Sequence, residues 1–428
     1  MTFISISEAI KKGKGRVAVR GWIYRERGSN EFKFIILRDS SNIIQCVLKK
    51  EKFEKQWPDI DKLQVEASVE IEGIIKKEKR APTGFEILAD KINIIGLSEG
   101  FPIQKNLNEE LLGDRRHLWL RSRKMIAILK IRSTLLFALH EYLRNLGFVE
   151  IEAPSFSDAT SEGGATTFEV NYFGKKAYLT QSWQFYAENI INAIEKAYTI
   201  APSFRAEESK TSRHLTEFWH CEVEAAWMNM ENILNVGEGC IIYCIQKIIK
   251  ENKKELEILN VDISRLKKVK APFPKITYKN AIKKLHETKH KIRYGDDFGA
   301  NEERDLAEHY GGNFVVVTNY PLEILKFYHG EDSKNPGTGT NFNILASGVG
   351  EVLDGSQREP DLDKIKERLK KSKIDLGASD WYLDSRRYGS VPHSGFGLGT
   401  ERLTQWICGL DNIKYAIAFP RTMTRTRP

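Results

Sequence analysis

The periodicity of apolar residues changes near residue 125, from strands alone to helices mixed with strands, and the change divides the chain. Between residues 15 and 100 apolar residues alternate with polar ones or run unbroken for the length of a strand. The segments are GRVAVRGWIYRER, EFKFIILRD, NIIQCVLKK, VEASVEIEGIIKK and GFEILADKINIIG, with Gly and Ser-Asn turns between them. From Leu129 the period is helical. Leu129, Leu135, Leu136, Leu139, Leu143 and Leu146 share a helix face, and Gly147 is placed to end the helix. Residues 101–122, FPIQKNLNEELLGDRRHLWLRS, have little period and read as a connector.

We therefore expect a β-rich domain over 1–100, a hinge over 101–124 and a mixed domain over 125–428. The fold class is α+β. Five strands at this spacing suit a small closed barrel such as an OB-fold. A chain of 428 residues is long enough for two or three domains, each with its own core. The formal net charge is +8, which suits a polyanionic partner such as nucleic acid. A basic barrel with exposed aromatics is a common platform for single-stranded nucleic acid. The five cysteines form no CxxC pair, which points to reduced thiols and a cytoplasmic protein. Cys240 and Cys244 read as core residues on one helix face. No stretch approaches the ~20 apolar residues of a membrane span, so no membrane partner is expected.

Three familiar patterns fail. His286-Glu287-Thr288-Lys289-His290 matches HExxH, but the surrounding lysines repel Zn²⁺ and the segment is too polar for a buried metal helix. It reads as a solvated surface helix. There is no GxxxxGK[ST]. In Gly395-Phe396-Gly397-Leu398-Gly399, Thr400 stands where the third glycine of GxGxxG belongs.

Residues 204–224, FRAEESKTSRHLTEFWHCEVE, carry the chemistry. Arg205 and Glu207 lie two apart, so on a strand they face one side. A polar loop follows, then Arg213, His214 and a second β-like run. Such a hairpin can clamp a triphosphate with arginines and read an adenine edge with a carboxylate or backbone, while Phe218 offers a face for stacking. Taken alone, it could equally be a salt-bridged surface hairpin.

FRAE followed by RHLTEF resembles motif 2 of the class II aminoacyl-tRNA synthetases. GFVEIEAPSF, with Pro154, resembles motif 1, and GFGLGTERL, with Arg402, resembles motif 3. GWIYRER, FIILRDSS and IIQCV are similar to the anticodon-binding barrel of the aspartate, asparagine and lysine enzymes. The resemblance covers the full length. It implies a catalytic domain built on an antiparallel sheet flanked by helices. In that reading Arg205 contacts the α-phosphate of ATP and the amino-acid carboxylate, and Glu207 and Phe218 hold the adenine. Arg213, His214 and Arg402 hold the distal phosphates, with Arg205 and Arg402 catalytic. Glu351 holds Mg²⁺ and ATP, and Pro154 lies at a homodimer interface. Arg25, Phe34 and Gln45 would contact the anticodon.

Within the subgroup the resemblance also implies an amino-acid pocket. Glu162 would lie near the α-amine, and Gln184 and Arg358 would line the side-chain end. The aspartate enzymes normally carry a lysine where Ala187 stands, and an Asp where Glu222 stands. A missing cation and a carboxylate acceptor suit a neutral amide, and Glu222 would repel aspartate. Trp183, Phe185 and Asp354 depart from the residues usual at their positions. The expected partners are thus ATP, L-asparagine and tRNA(Asn), the products asparaginyl-tRNA, AMP and diphosphate. The alternatives are an aspartate–tRNA ligase, including one accepting both tRNAs, an amide-forming relative, and a non-catalytic RNA-binding module.

Overall fold

The computed structural model describes the chain except residues 104–106, 158–165, 209–212, 289, 311 and 373–376. Two compact units are present, Met1–Arg115 and Arg116–Pro428. The division falls inside the segment read as a connector. That segment is more ordered than its weak periodicity suggested, with helices at Glu109–Asp114 and Arg116–Trp119. Arg116 is buried and donates to the backbone carbonyls of Lys414, Ile417 and Ala418. The tail of the chain thus fixes the start of the second unit.

The first unit is a closed barrel of β1 (Gly15–Gly28), β2 (Phe32–Arg38), β3 (Ile43–Lys49), β4 (Ser68–Lys77) and β5 (Phe85–Gly96), in the order β1-β2-β3-β5-β4. All five expected strands form. Every second residue of β1, β2 and β4 turns inward, so Val17, Val19, Ile35, Leu37, Val69 and Ile71 share one apolar interior. A short helix, Ile6–Lys12, lies beside the barrel, and Ser5 and Glu8 form a capping box at its start.

In the second unit an eight-stranded sheet carries the site. Its members are β6 (Val149–Glu150), β10 (Lys196–Phe204), β11 (Glu217–Ala226), β12 (Lys275–Thr277), β13 (Phe314–Thr318), β14 (Asn341–Ala346), β15 (Gly350–Gln357) and β16 (His393–Gly399). The order is β12-β13-β14-β15-β16-β11-β10-β6, antiparallel through its centre with a parallel pair at each edge. The smaller sheet holds β7 (Phe156–Ser157), β8 (Glu169–Tyr172) and β9 (Lys175–Leu179).

Alternation along the central strands gives the large sheet two different faces. Cys221, Val223, Leu353, Phe396 and Leu398 turn to the core, packed with the helices Arg123–Asn145, Met230–Glu251 and Thr400–Cys408. The leucine-rich helix is followed by Gly147 at φ +81°, as its sequence predicts, and the structure adds a cap at Ser122. Cys240 and Cys244 are buried on Met230–Glu251. The opposite face carries His220, Glu222, Glu224, Asp354 and Ser356. Among the described residues no helix is long and apolar enough to cross a membrane.

Among the described residues, the HExxH segment contributes to no group of metal-ligating side chains. The helix Tyr278–Glu287 stops before His290, so the two histidines do not share a helix. His286 is bound to the Ile292 carbonyl, and His290 is bracketed by Glu302 and Asp305.

Candidate active site

The polar face of the large sheet floors a cleft of about 340 Å³. Its floor follows from strand register. Gly397 lies opposite Glu222 on one side and Asp354 on the other, while Gly395 lies between Glu224 and Ser356. A Cβ on Gly395 would come within 1.9 Å of Glu224 Oε2, so the pairing of β11 and β16 admits only glycine there. A Cβ on Gly397 would meet only Glu222, at 4.0 Å. The surrounding packing does not demand a glycine at this position. Open space above a bare strand is what a closely approaching ligand needs.

Arg205, Glu207 and Phe218 line one part of the cleft. The strand pairing continues one residue past β10, where Arg205 N–H bonds Thr216 O at 3.0 Å. The Arg205 guanidinium lies over the Phe218 ring, 5.5 Å from its centre. A planar group sliding onto Phe218 would therefore lie beside a cation.

At a second part stand Arg213, His214, Glu351 and Arg402. Arg402 Nη1 donates to Glu351 O at 2.7 Å and Oε1 at 3.2 Å, and Asn343 holds Glu351 Oε2 at 2.7 Å. Arg213 pairs with Glu303, which also accepts the Glu351 N–H at 3.1 Å. Burial and nearby Glu351 push the Glu303 carboxyl up, and the same causes raise Asp297. Burial and Arg402 push His214 down, so it serves as a neutral hydrogen-bonding ring near pH 7.

The third part holds Gln184, Glu222 and Arg358. Arg358 forks onto Glu224, Nε to Oε1 at 3.1 Å and Nη2 to Oε2 at 2.9 Å, and its Nη1 reaches Ser356 Oγ at 2.8 Å. Glu222 accepts the Ser182 hydroxyl at 2.5 Å and the Trp183 N–H at 3.0 Å. Burial opposes ionisation of Glu222, but His220, Ser182 and the Trp183 N–H outweigh it and hold the carboxyl below its usual range. One end of the cleft thus presents an anchored cation beside an anchored, ionised acceptor. A carboxylate keeps about four acceptor sites, so Glu222 has capacity for a further donor.

Not every expected residue reaches the cleft. Ala187 is buried among Trp183, Ile191, Ala197 and Ala226 and does not line it. On the helix Gln184–Ile194, Ala187 lies one i,i+3 step from Gln184, about 60° around the axis, and its short methyl stays within the apolar cluster. Glu162 lies outside the described residues. Pro154 is exposed in the single chain, near the exposed ring of Phe156. The sequence reading also missed residues. Glu224 and Glu188 were findable, by their i,i+2 and i,i+4 spacing from Glu222 and Gln184. Asp297, Glu303 and Lys326 carried no local signal, because only the fold brings them near.

On the barrel, strand register puts Arg25, Phe34 and Gln45 on one face. Ile36 pairs with both Arg25 and Gln45, and Phe34 lies two residues away. Arg25 is exposed and Phe34 half-exposed, with Arg27 over the Phe34 ring at 4.9 Å. Gln45 is buried and donates to Glu86 at 2.8 Å.

Residues 108–423 match the family described as tRNA synthetases class II (D, K and N), and residues 17–95 match the OB-fold nucleic acid binding domain. The chain belongs to this family of class II synthetases. Within it, the chain is similar to the asparagine–tRNA ligase of Thermoplasma acidophilum, at 44% identity over 99% of this chain and 100% of the relative. The asparagine–tRNA ligase of Thermococcus gammatolerans is 45% identical over 96% of each. Among solved structures, asparaginyl-tRNA synthetase from Pyrococcus horikoshii complexed with asparaginyl-adenylate superposes with a TM-score of 0.96. It is 42% identical, and all of both chains is covered.

Proposed function

We propose that this chain is an asparagine–tRNA ligase that forms asparaginyl-adenylate from ATP and L-asparagine and passes the asparaginyl group to the 3′ end of tRNA(Asn). The observation that carries the reading is the anchored donor–acceptor pair at one end of the cleft. Arg358 can donate to an amide oxygen, and Glu222 can accept from an amide nitrogen. An aspartate side chain would bring a second carboxylate against Glu222.

In the first step the asparagine carboxylate attacks the α-phosphorus, and diphosphate leaves with the electron pair of the broken P–O bond. Charge gathers on the phosphate oxygens. Arg205 stands to take the α-phosphate, while Arg213, Arg402 and neutral His214 take the distal ones. These groups are held before the ligand arrives, which is what makes such stabilisation effective. Phe218 stacks the adenine and Glu207 accepts from its amino group. In the second step the terminal adenosine hydroxyl attacks the activated carbonyl and AMP leaves.

Mg²⁺ fits the distal end only as a shared ion. Asp354 and the lone pairs that Glu351 keeps beyond its contacts with Arg402 and Asn343 would hold it, whereas Glu303 is committed to Arg213. No group of three metal-binding side chains occurs among the described residues. Two carboxylates completed by triphosphate and water oxygens suit Mg²⁺, which when bound neutralises phosphate charge.

The barrel face with Arg25, Phe34 and Gln45 receives the anticodon, Phe34 by stacking. Exposed Phe156, Tyr172 and Phe173 form a contiguous aromatic patch. Such a patch beside Pro154 supports a homodimer. Five free, buried cysteines suit the reducing cytoplasm, where tRNA is charged.

Amino-acid-dependent exchange of labelled diphosphate into ATP tests the activation step. Exchange driven by asparagine is expected, and exchange driven by aspartate alone would overturn the reading.

A further inference from the structure

Behind the amino-acid end of the cleft lies a polar network that the reaction itself does not use. Its centre is Glu188, whose side chain is wholly buried. One oxygen, Oε1, accepts from Gln184 Nε2 at 2.8 Å. The other, Oε2, accepts from Tyr382 at 2.9 Å and from Arg386, and lies 3.1 Å from His393 Nε2. Besides Gln184 on its own helix, three groups 194, 198 and 205 residues along the chain converge on this one carboxylate.

A carboxylate in this position has a chemical consequence for Gln184. An amide side chain is nearly symmetric in shape, and its nitrogen and oxygen can exchange places. An ionised carboxylate only accepts, so it tolerates only the nitrogen opposite it. Burial works against ionisation of Glu188, but Arg386 and His393 outweigh it and hold the carboxyl well below its usual range. Gln184 lines the cleft. With Nε2 bound to Glu188, the atom left for a ligand is the acceptor Oε1.

We propose that Glu188 is a positioning residue for the amino-acid subsite: it locks the Gln184 amide so that Oε1 faces the cleft and accepts an N–H of the bound amino acid. The proposal rests on the reading of this end of the cleft as the amino-acid subsite. Glu188 also stands in electrostatic contact with Glu224 and Arg358. The same carboxylate thus sets both the orientation of Gln184 and the field around the Arg358–Glu224 pair. A glutamine at 188 can accept or donate, so Gln184 can turn over and present N–H groups to the ligand's own donors.

The test compares Glu188→Gln, Tyr382→Phe and wild type by diphosphate exchange, with asparagine and ATP varied separately. Tyr382→Phe removes a donor to Glu188 but keeps the carboxylate and so the lock. We expect Glu188→Gln to raise KM for asparagine about tenfold, the weight of one hydrogen bond to a charged group. KM for ATP is expected to change less than about twofold, and Tyr382→Phe to leave both constants near wild type. Should Glu188→Gln misfold around unpaired Arg386, the double variant Glu188→Gln/Arg386→Gln removes both charges and carries the same expectation. An unchanged KM for asparagine in either folded variant overturns the proposal. So does a common rise in both KM values, or failure of both variants to fold, because a purely structural role would give those results. If wild type shows no asparagine-dependent exchange at all, the functional reading fails instead.

Discussion

The pair Arg358–Glu224 is the most demanding feature of the cleft, and Glu224→Gln perturbs it with little change in shape. Both side chains are almost fully buried, at 7% and 2% exposure. Wild-type Glu224 neutralises the guanidinium and accepts two of its hydrogen bonds. Glutamine keeps one oxygen for one of them. The other guanidinium N–H then faces an amide NH₂, and the buried Glu188 carboxylate is left to offset the Arg358 charge. Breaking a buried pair by removing one partner costs about 3–5 kcal/mol. Since one hydrogen bond survives, about 2–3 kcal/mol is expected here. For a unit the size of Arg116–Pro428, at ~2.1 cal/mol/K of unfolding entropy per residue, that lowers the midpoint of thermal unfolding by roughly 3–5 °C. The assay is calorimetry of the ligand-free chain, read on the transition of the larger unit. Asparagine KM measured on the same preparation should rise, because Arg358 loses the fork that aims it. A midpoint within about 1 °C of wild type, with KM unchanged, would refute the reasoning that Glu224 anchors Arg358.

Other residues give separable outcomes. Gly397→Ala should fold with near wild-type stability, since its Cβ meets only Glu222 at 4.0 Å, yet lose most diphosphate exchange because the methyl projects where a ligand would lie; loss of stability with activity kept would contradict this. Phe34→Ala should weaken tRNA binding about tenfold or more at fixed salt and leave tRNA-independent exchange unchanged. His329 is buried beside Arg358 and Arg368, and burial together with Arg358 pushes it down to about 3. The unfolded chain titrates near 6.5, so between these values the unfolded state binds the extra proton. Stability should therefore fall as pH drops below about 6.5, by up to ~1.4 kcal/mol per pH unit from this group. Denaturant titrations from pH 7 to 5 should show a shallower slope for His329→Gln.

Much of this was legible in the chain because it is written locally. The five strands of the barrel announce themselves by alternation. The leucine-rich helix carries its period in its leucines and its stop at Gly147. The FRAE and RHLTEF runs are neighbours in sequence and in space, since they flank one strand pairing. What stayed hidden depends on register and distance. Strand pairing alone shows that Gly395 and Gly397 are floor rather than a phosphate loop. Only the fold brings Glu303 to Arg213, 90 residues away, or Tyr382 and Arg386 to Glu188. Ala187 shows a different limit. No lysine reaches the cleft from this position, and the alanine methyl itself is buried in an apolar cluster. Glu222, Arg358 and their anchors are the groups that can meet an amide directly.

The central claim concerns the amino acid that reaches the tRNA. The most direct measurement charges unmodified tRNA(Asn) in the presence of ATP, Mg²⁺ and equal asparagine and aspartate, and identifies the esterified amino acid by mass spectrometry. Asparagine on the 3′ adenosine, with aspartate at background, is the result predicted by an ionised Glu222 beside an anchored Arg358. Aspartate at a comparable level would contradict it.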